Sequence, residues 1–167
     1  MRITLTLGDI TAQEVDVVVN AANARMRGGG GVDGAIHKAG GPAILEDCIV
    51  RFPNGLRTGD AGWTTAGNMP AKWVVHTVGP NYAAGQRDRT LLESAYRRSL
   101  EEADALGATT VAFPLISAGI YGWPLEDAVF TAIQTITDTA PALKNLEEVR
   151  IVAFSPELFD LVESSLA

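Results

Sequence analysis

The chain has 167 residues, 47% of them hydrophobic, and a formal net charge of −7. That length suits one well-buried core and is too short for two ordinary domains, so a single domain over residues 1–167 is expected. The acidic balance argues against a generic nucleic-acid surface, which needs clustered Lys and Arg to displace counterions, and one cysteine with two histidines excludes both an intrachain disulfide and the usual Cys/His zinc cage.

The chain opens on a strand pattern at 2–7, with no charged n-region and apolar core ahead of it, and no run approaches the length of a membrane span. A cytoplasmic, monomeric protein without membrane contact is expected. Gly8-Asp9-Ile10-Thr11 follows, then a second strand at 15–20 whose run Val15 to Val19 is apolar apart from Asp16, as befits a central strand covered on both faces. That strand runs into Asn20-Ala21-Ala22-Asn23 and a run of four glycines, Gly28 to Gly31, ahead of an amphipathic helix expected over 33–49. Without Cβ atoms such glycines can aim successive N–H groups at one point, and the helix adds its unpaired N-terminal donors. A site of this kind binds anions without lysines. A floppy linker is the bland alternative, and the flanking strand and helix argue against it.

Known phosphate loops fail on spacing. A Walker A loop needs Lys and Ser or Thr straight after its last glycine, and Gly34 is followed by Ala35-Ile36. A dinucleotide fingerprint needs its glycines directly after the first strand, with an acidic residue closing the next one. Further strands are expected at 62–66, 72–77, 109–114 and 148–153, and helices at 90–106, 125–139 and 156–165. The alternation gives a mixed sheet between helical layers. The second glycine loop, Ser117-Ala118-Gly119-Ile120-Tyr121-Gly122, leaves the strand at 109–114, so both loops lie at strand carboxyl ends and can wall one cleft.

The candidate chemical residues each have a plainer reading. Asn23 is a turn asparagine or an amide that grips a sugar hydroxyl. Asp33 is a helix-start acid or a general base, and a carboxylate beside a bound anion needs a task of that sort. His37, four residues on, shares its helix face and is a half-buried helix histidine or a partner of Asp33. His76 is read as a satisfied core histidine, Cys48 as a packed thiol, and Asn20 as structural, bonded to loop backbone. The basic pairs around Arg87-Asp88-Arg89 and Arg97-Arg98 are diluted by carboxylates and read as a solvated helix face.

Five segments in order, Gly8-Asp9-Ile10-Thr11, Val15 to Asn23, Gly28 to His37, His76 to Pro80 and Ser117 to Pro124, resemble a macrodomain of the MacroD-like type over almost the whole chain. The resemblance implies a three-layer α/β/α sandwich with a central mixed sheet, binding ADP-ribose. It also implies a hydrolase that removes mono-ADP-ribose from Asp or Glu esters on proteins, or deacylates O-acetyl-ADP-ribose. The alternatives are a reader that binds without turnover and a phosphatase for ADP-ribose 1″-phosphate. Asn23 would orient the distal ribose and Asp33 would activate water, with His37 assisting. Gly29, Gly30, Gly31 and Val32 with Ser117, Ala118, Gly119, Ile120 and Tyr121 would hold the diphosphate and distal ribose, and Asp9, Ile10 and Phe154 the adenine end. For Asp9 a turn aspartate and for Phe154 a core phenylalanine are the plain alternatives. No metal and no cofactor are implied; the expected partners are ADP-ribosylated proteins or O-acyl-ADP-ribose. Ala118 and Trp123 depart from the family pattern, which leaves the shape of the distal-ribose lip open.

Overall fold

Val17, Val18 and Val19 point alternately to the two faces of a sheet and all are fully buried, which requires a helical layer on each side. The computed structural model, which describes residues 1–167, supplies both layers. Its strands are β1 (Arg2–Leu7), β2 (Val17–Ala22), β3 (Ala61–Thr65), β4 (Trp73–Val78), β5 (Thr110–Phe113) and β6 (Glu148–Ala153), in the spatial order β1-β6-β5-β2-β4-β3. Every neighbouring pair is parallel except β3 and β4. The helices are α1 (Gly31–Gly40), α2 (Pro42–Arg51), α3 (Arg89–Ala105), α4 (Leu125–Thr139) and α5 (Pro156–Leu166).

Val18, Val74 and Val152 pack on one face against Ile36 of α1 and Ile44 of α2. On the other face Val17, Val19, Val75 and Val149 meet Leu92 and Tyr96 of α3, Ile136 of α4 and Val162 of α5. Each such fully buried aliphatic side chain contributes roughly 1.5–3 kcal/mol, so the two layers fix the sheet rigidly. Tyr96 carries this rigidity toward the second glycine loop: its buried hydroxyl accepts the Ile116 N–H at 2.9 Å, just before Ser117. No helix is long and apolar enough to cross a membrane.

Two boundaries differ from the sequence reading. The helix expected over 33–49 breaks into α1 and α2, because Gly41 takes φ +79° and Pro42, the first residue of α2, has no N–H to continue the ladder. The second strand starts at Val17 and runs to Ala22, two residues later than expected at each end. Asp16 is held in the turn before it, its carboxylate accepting Thr109 N–H at 2.8 Å and Thr109 hydroxyl at 3.1 Å. The other elements fall within one residue of expectation. Asn20 therefore lies inside a central strand, opposite His76 of β4.

Candidate active site

A cleft of about 710 Å³ runs across the carboxyl ends of β1, β6, β5 and β2. Gly8, Asp9 and Ile10 follow β1, and Val152, Phe154 and Leu158 come from β6, the turn after it and α5. Ala21 and Ala22 end β2, Asn23, Gly29 and Gly30 lie in the first loop, and Gly31, Val32, Asp33 and Ala35 belong to the start of α1; Pro114, Leu115, Ser117, Gly119, Ile120 and Tyr121 follow β5. None of the residues lining it is Lys or Arg, and Asp9 and Asp33 are the only charges on its walls. An anion held here is held by backbone.

The donors are present on both walls. The first bond into α1 runs from Gly34 N–H to Gly30 carbonyl, which leaves the N–H groups of Gly29 to Asp33 without a protein acceptor. Gly34 must itself be glycine, since a Cβ there would sit 2.7 Å from the Gly29 carbonyl oxygen. In the second loop Gly119, Ile120 and Tyr121 also have free N–H groups, the loop being closed by Gly122 N–H on Gly119 O and Trp123 N–H on Ser117 O. Ile120 spans the gap: its Cδ1 lies 3.7 Å from where a Cβ of Gly30 would stand. Ser117, at the root of this wall, is a non-glycine residue held at φ +65°, a conformation that costs of order 1–3 kcal/mol.

Asp33 is almost fully buried, and its two oxygens face different partners. Oδ1 accepts from Asn20 Nδ2 at 2.8 Å and has His37 Nε2 at 3.4 Å. Oδ2 has no protein donor and points toward Gly29, where an added Cβ would lie 3.1 Å from both Asp33 Oδ2 and Asn23 Nδ2. Asn23 is fixed at both ends of its amide, donating to Gly28 carbonyl at 3.1 Å and accepting Arg25 N–H at 3.1 Å. One free carboxylate oxygen and one ordered amide thus converge on a single spot beside the glycine loop.

Behind Asp33 lies a buried polar chain. Asn20 Nδ2 also donates to His76 Nδ1 at 3.0 Å, so this nitrogen is the acceptor and the proton of the neutral ring sits on Nε2. His76 Nε2 donates to Thr64 Oγ1 at 2.8 Å, and that hydroxyl donates to the Thr65 carbonyl at 3.0 Å. Reversing the Asn20 amide would set its oxygen against a carboxylate, so the orientation is unique. Burial, with nearby His37 adding to it, pulls the His76 pKa down to about 4, which keeps the ring neutral.

The low His76 pKa sets a stability prediction. Between pH 6.5 and about 4 the unfolded chain binds this proton and the folded chain does not, so stability falls as pH drops through that window. The loss amounts to roughly 3 kcal/mol, from about 1.4 kcal/mol per pKa unit. In urea titrations at pH 7 and pH 4.5, His76→Gln should lose less stability than wild type over this interval; equal losses would mean His76 titrates normally.

The cleft gathers most of the residues singled out in the sequence, with several differences. Ala118 and His37 do not line it: Ala118 packs on the core, and His37 sits behind Asp33. Asn20 bonds to two side chains rather than to loop backbone. Asp9 lines the cleft while also capping a short 3-10 turn, Oδ1 accepting Thr11 N–H at 2.9 Å. Phe154 is 78% exposed and so is no core residue. Trp123 is buried against Tyr82, its indole N–H on Asp127, and forms no lip. Cys48 is buried, which pushes its thiol up to about 11 and makes it inert. Apolar walls from Leu115, Val152 and Leu158 complete the cleft, and nothing in their local sequence distinguishes them from core residues. Only their places at strand and helix ends could have marked them.

The macro domain family model matches residues 19–132. A macro domain-containing protein of Streptomyces nogalater is 51% identical over 162 residues, covering 95% of this chain and 88% of the relative. An O-acetyl-ADP-ribose deacetylase of Escherichia coli (strain K12) is 47% identical over 168 residues, covering 99% of this chain and 95% of the relative. Among solved structures, the Trypanosoma brucei macrodomain in complex with ADP-ribose superimposes with a TM-score of 0.91 at 35% identity, over 99% of this chain and 69% of that one. With two cation-free amide walls at the strand ends and this likeness along its length, the chain belongs to the macro domain family.

Proposed function

We propose that the protein binds ADP-ribose and hydrolyses acyl esters of its distal ribose, either O-acetyl-ADP-ribose or ADP-ribose linked to Asp or Glu of a protein. The observation that carries this reading is the buried Asp33 carboxylate, whose unpartnered Oδ2 faces Asn23 beside the anion-binding loop. A reader has no use for negative charge there, since it opposes a dianionic ligand. A hydrolase does. The relatives named as O-acetyl-ADP-ribose deacetylases, at 47% identity for the Escherichia coli protein, support the same chemistry.

The free N–H groups of Gly29 to Asp33 and Gly119 to Tyr121 hold the diphosphate, and Asn23 orients the distal ribose. Asp33 Oδ2 takes a proton from a water whose oxygen attacks the acyl carbon. The acyl–oxygen bond then breaks, and the proton passes to the departing ribose oxygen. Asn20 and His37 hold Oδ1, so Oδ2 remains the reactive oxygen. The test is incubation with O-acetyl-ADP-ribose and with a Glu-linked ADP-ribosylated protein, measuring released acetate and ADP-ribose. Tight binding without release would make the protein a reader.

At the other end of the cleft, exposed Phe154 offers a bare ring to the adenine. Phe154→Ala should weaken ADP-ribose binding in calorimetry by roughly 1–3 kcal/mol, the range for loss of base stacking, and leave turnover at saturating substrate nearly intact. Equal affinity of wild type and variant would remove the adenine from this end.

A further inference from the structure

The cations of this acidic chain are unevenly used. Arg2, Arg51, Lys72, Arg89, Arg98 and Arg150 each hold a carboxylate. Arg25, Arg27 and Arg57 hold none; unlike Lys38, Arg97 and Lys144, which are also unpaired but scattered over α1, α3 and the loop before β6, these three lie on two abutting loops beside Asn23. Leu56 N–H donates to Ala24 carbonyl at 2.9 Å, and Arg27 reaches across to Pro53 carbonyl at 3.4 Å while also gripping Arg25 and Met26 carbonyls. Arg25 and Arg57 are exposed, with their charged groups uncommitted. On the side of the second loop Arg87 stacks on Tyr82 at 4.3 Å, again without a carboxylate, and Ala83 N–H binds Tyr121 carbonyl at 2.9 Å. The neighbouring acid, Asp88, is spent on Thr90.

These cations do not touch the diphosphate, because no Arg lines the cleft. They stand outside it, at the end where Asn23 and Asp33 converge and where an acyl carrier must emerge. Resting on the hydrolase reading above, we propose that Arg25 and Arg57, with Arg87 on the facing side, form a cationic rim that receives an acidic peptide flank. The substrate class is then an ADP-ribosyl ester on Asp or Glu within a segment rich in further carboxylates. A protein of net charge −7 repels such a segment over most of its surface, and uncompensated guanidinium groups at the mouth reverse that locally and guide the carrier to the site. Acetate is too small to reach the rim. The two acyl classes are therefore distinguished outside the chemistry.

The test uses two Glu-linked mono-ADP-ribosyl peptides, one with Asp and Glu flanks and one with Ser and Gly flanks, alongside O-acetyl-ADP-ribose. Wild type should favour the acidic peptide in kcat/KM by about fivefold to tenfold at 20 mM salt, and the preference should vanish at 0.5 M, where charges are screened within a few ångströms. Arg25→Ala/Arg57→Ala should erase the preference while leaving O-acetyl-ADP-ribose turnover at the wild-type level. Arg25→Glu/Arg57→Glu should invert it toward a Lys-flanked peptide, a gain that misfolding cannot mimic. Equal rates on the two flanks, or variants that slow all substrates alike, overturn the rim. A single-stranded oligonucleotide that blocks the acidic peptide better than polyglutamate does would also overturn it, in favour of nucleic acid. If wild type fails to turn over O-acetyl-ADP-ribose and both peptides, the hydrolase reading falls; the same flank preference must then appear in equilibrium binding of the two peptides, or the rim falls with it.

Discussion

Replacing Asp33 by alanine should slow ester hydrolysis by about 10²-fold or more while ADP-ribose binding holds or tightens. The two effects separate because the carboxylate has opposite roles in the two steps. Toward the bound diphosphate it is a like charge in a cleft with no Arg or Lys on its walls. Toward water it is a base with one free oxygen. Alanine also leaves the buried Asn20 Nδ2 without one of its acceptors, which costs about 1–3 kcal/mol of stability. Asp33→Asn avoids that penalty by keeping an acceptor for Asn20, so the pair of variants divides folding from chemistry. Rates measured with O-acetyl-ADP-ribose under saturation, with calorimetry for affinity, read both quantities. Should Asp33→Asn hydrolyse at the wild-type rate, water is activated by another group, and a phosphate of the substrate becomes the candidate.

The parts of this site that sequence could reveal are those written in local chemistry. Four successive glycines followed by Val32-Asp33 announce a loop with bare N–H groups, and Asp33 to His37 at helical spacing announces a shared face. The valine run of β2 announces a sheet buried on both sides, and the strand ends then place both loops on one cleft. What stayed hidden depends on register and rotation. Asn20 meets His76 only because β2 and β4 pair with those residues opposite each other, and Thr64 joins them only because β3 runs antiparallel to β4. No spacing along the chain encodes that pairing, so from sequence Asn20 reads as bonded to loop backbone rather than to Asp33 and His76. Trp123 is the converse case: next to a glycine loop it read as part of the pocket lip, yet the indole turns inward to Asp127 and Tyr82. The break at Gly41-Pro42 is written in composition, a glycine followed by a proline, although the apolar pattern on either side suits one continuous helix.

Gly119→Glu should cost about 10²-fold in ADP-ribose affinity, or ~3 kcal/mol, with the fold intact. A Cβ at Gly119 meets nothing within 4 Å, and the residue does not use the left-handed backbone region, so the substitution introduces no strain. What it introduces is an anion on the cleft wall. The new carboxylate stands beside the free N–H groups of Gly119, Ile120 and Tyr121, can accept from them itself, and repels the diphosphate that would otherwise do so. Gly119→Ala separates charge from bulk: its methyl group enters open space, so affinity should stay within about threefold of wild type. The measurement is calorimetric titration of both variants beside thermal unfolding, which should show nearly unchanged midpoints. A folded Gly119→Glu protein that binds ADP-ribose like wild type would mean that the second loop does not carry the diphosphate. The amides of Gly29 to Asp33 would then have to hold both phosphates alone.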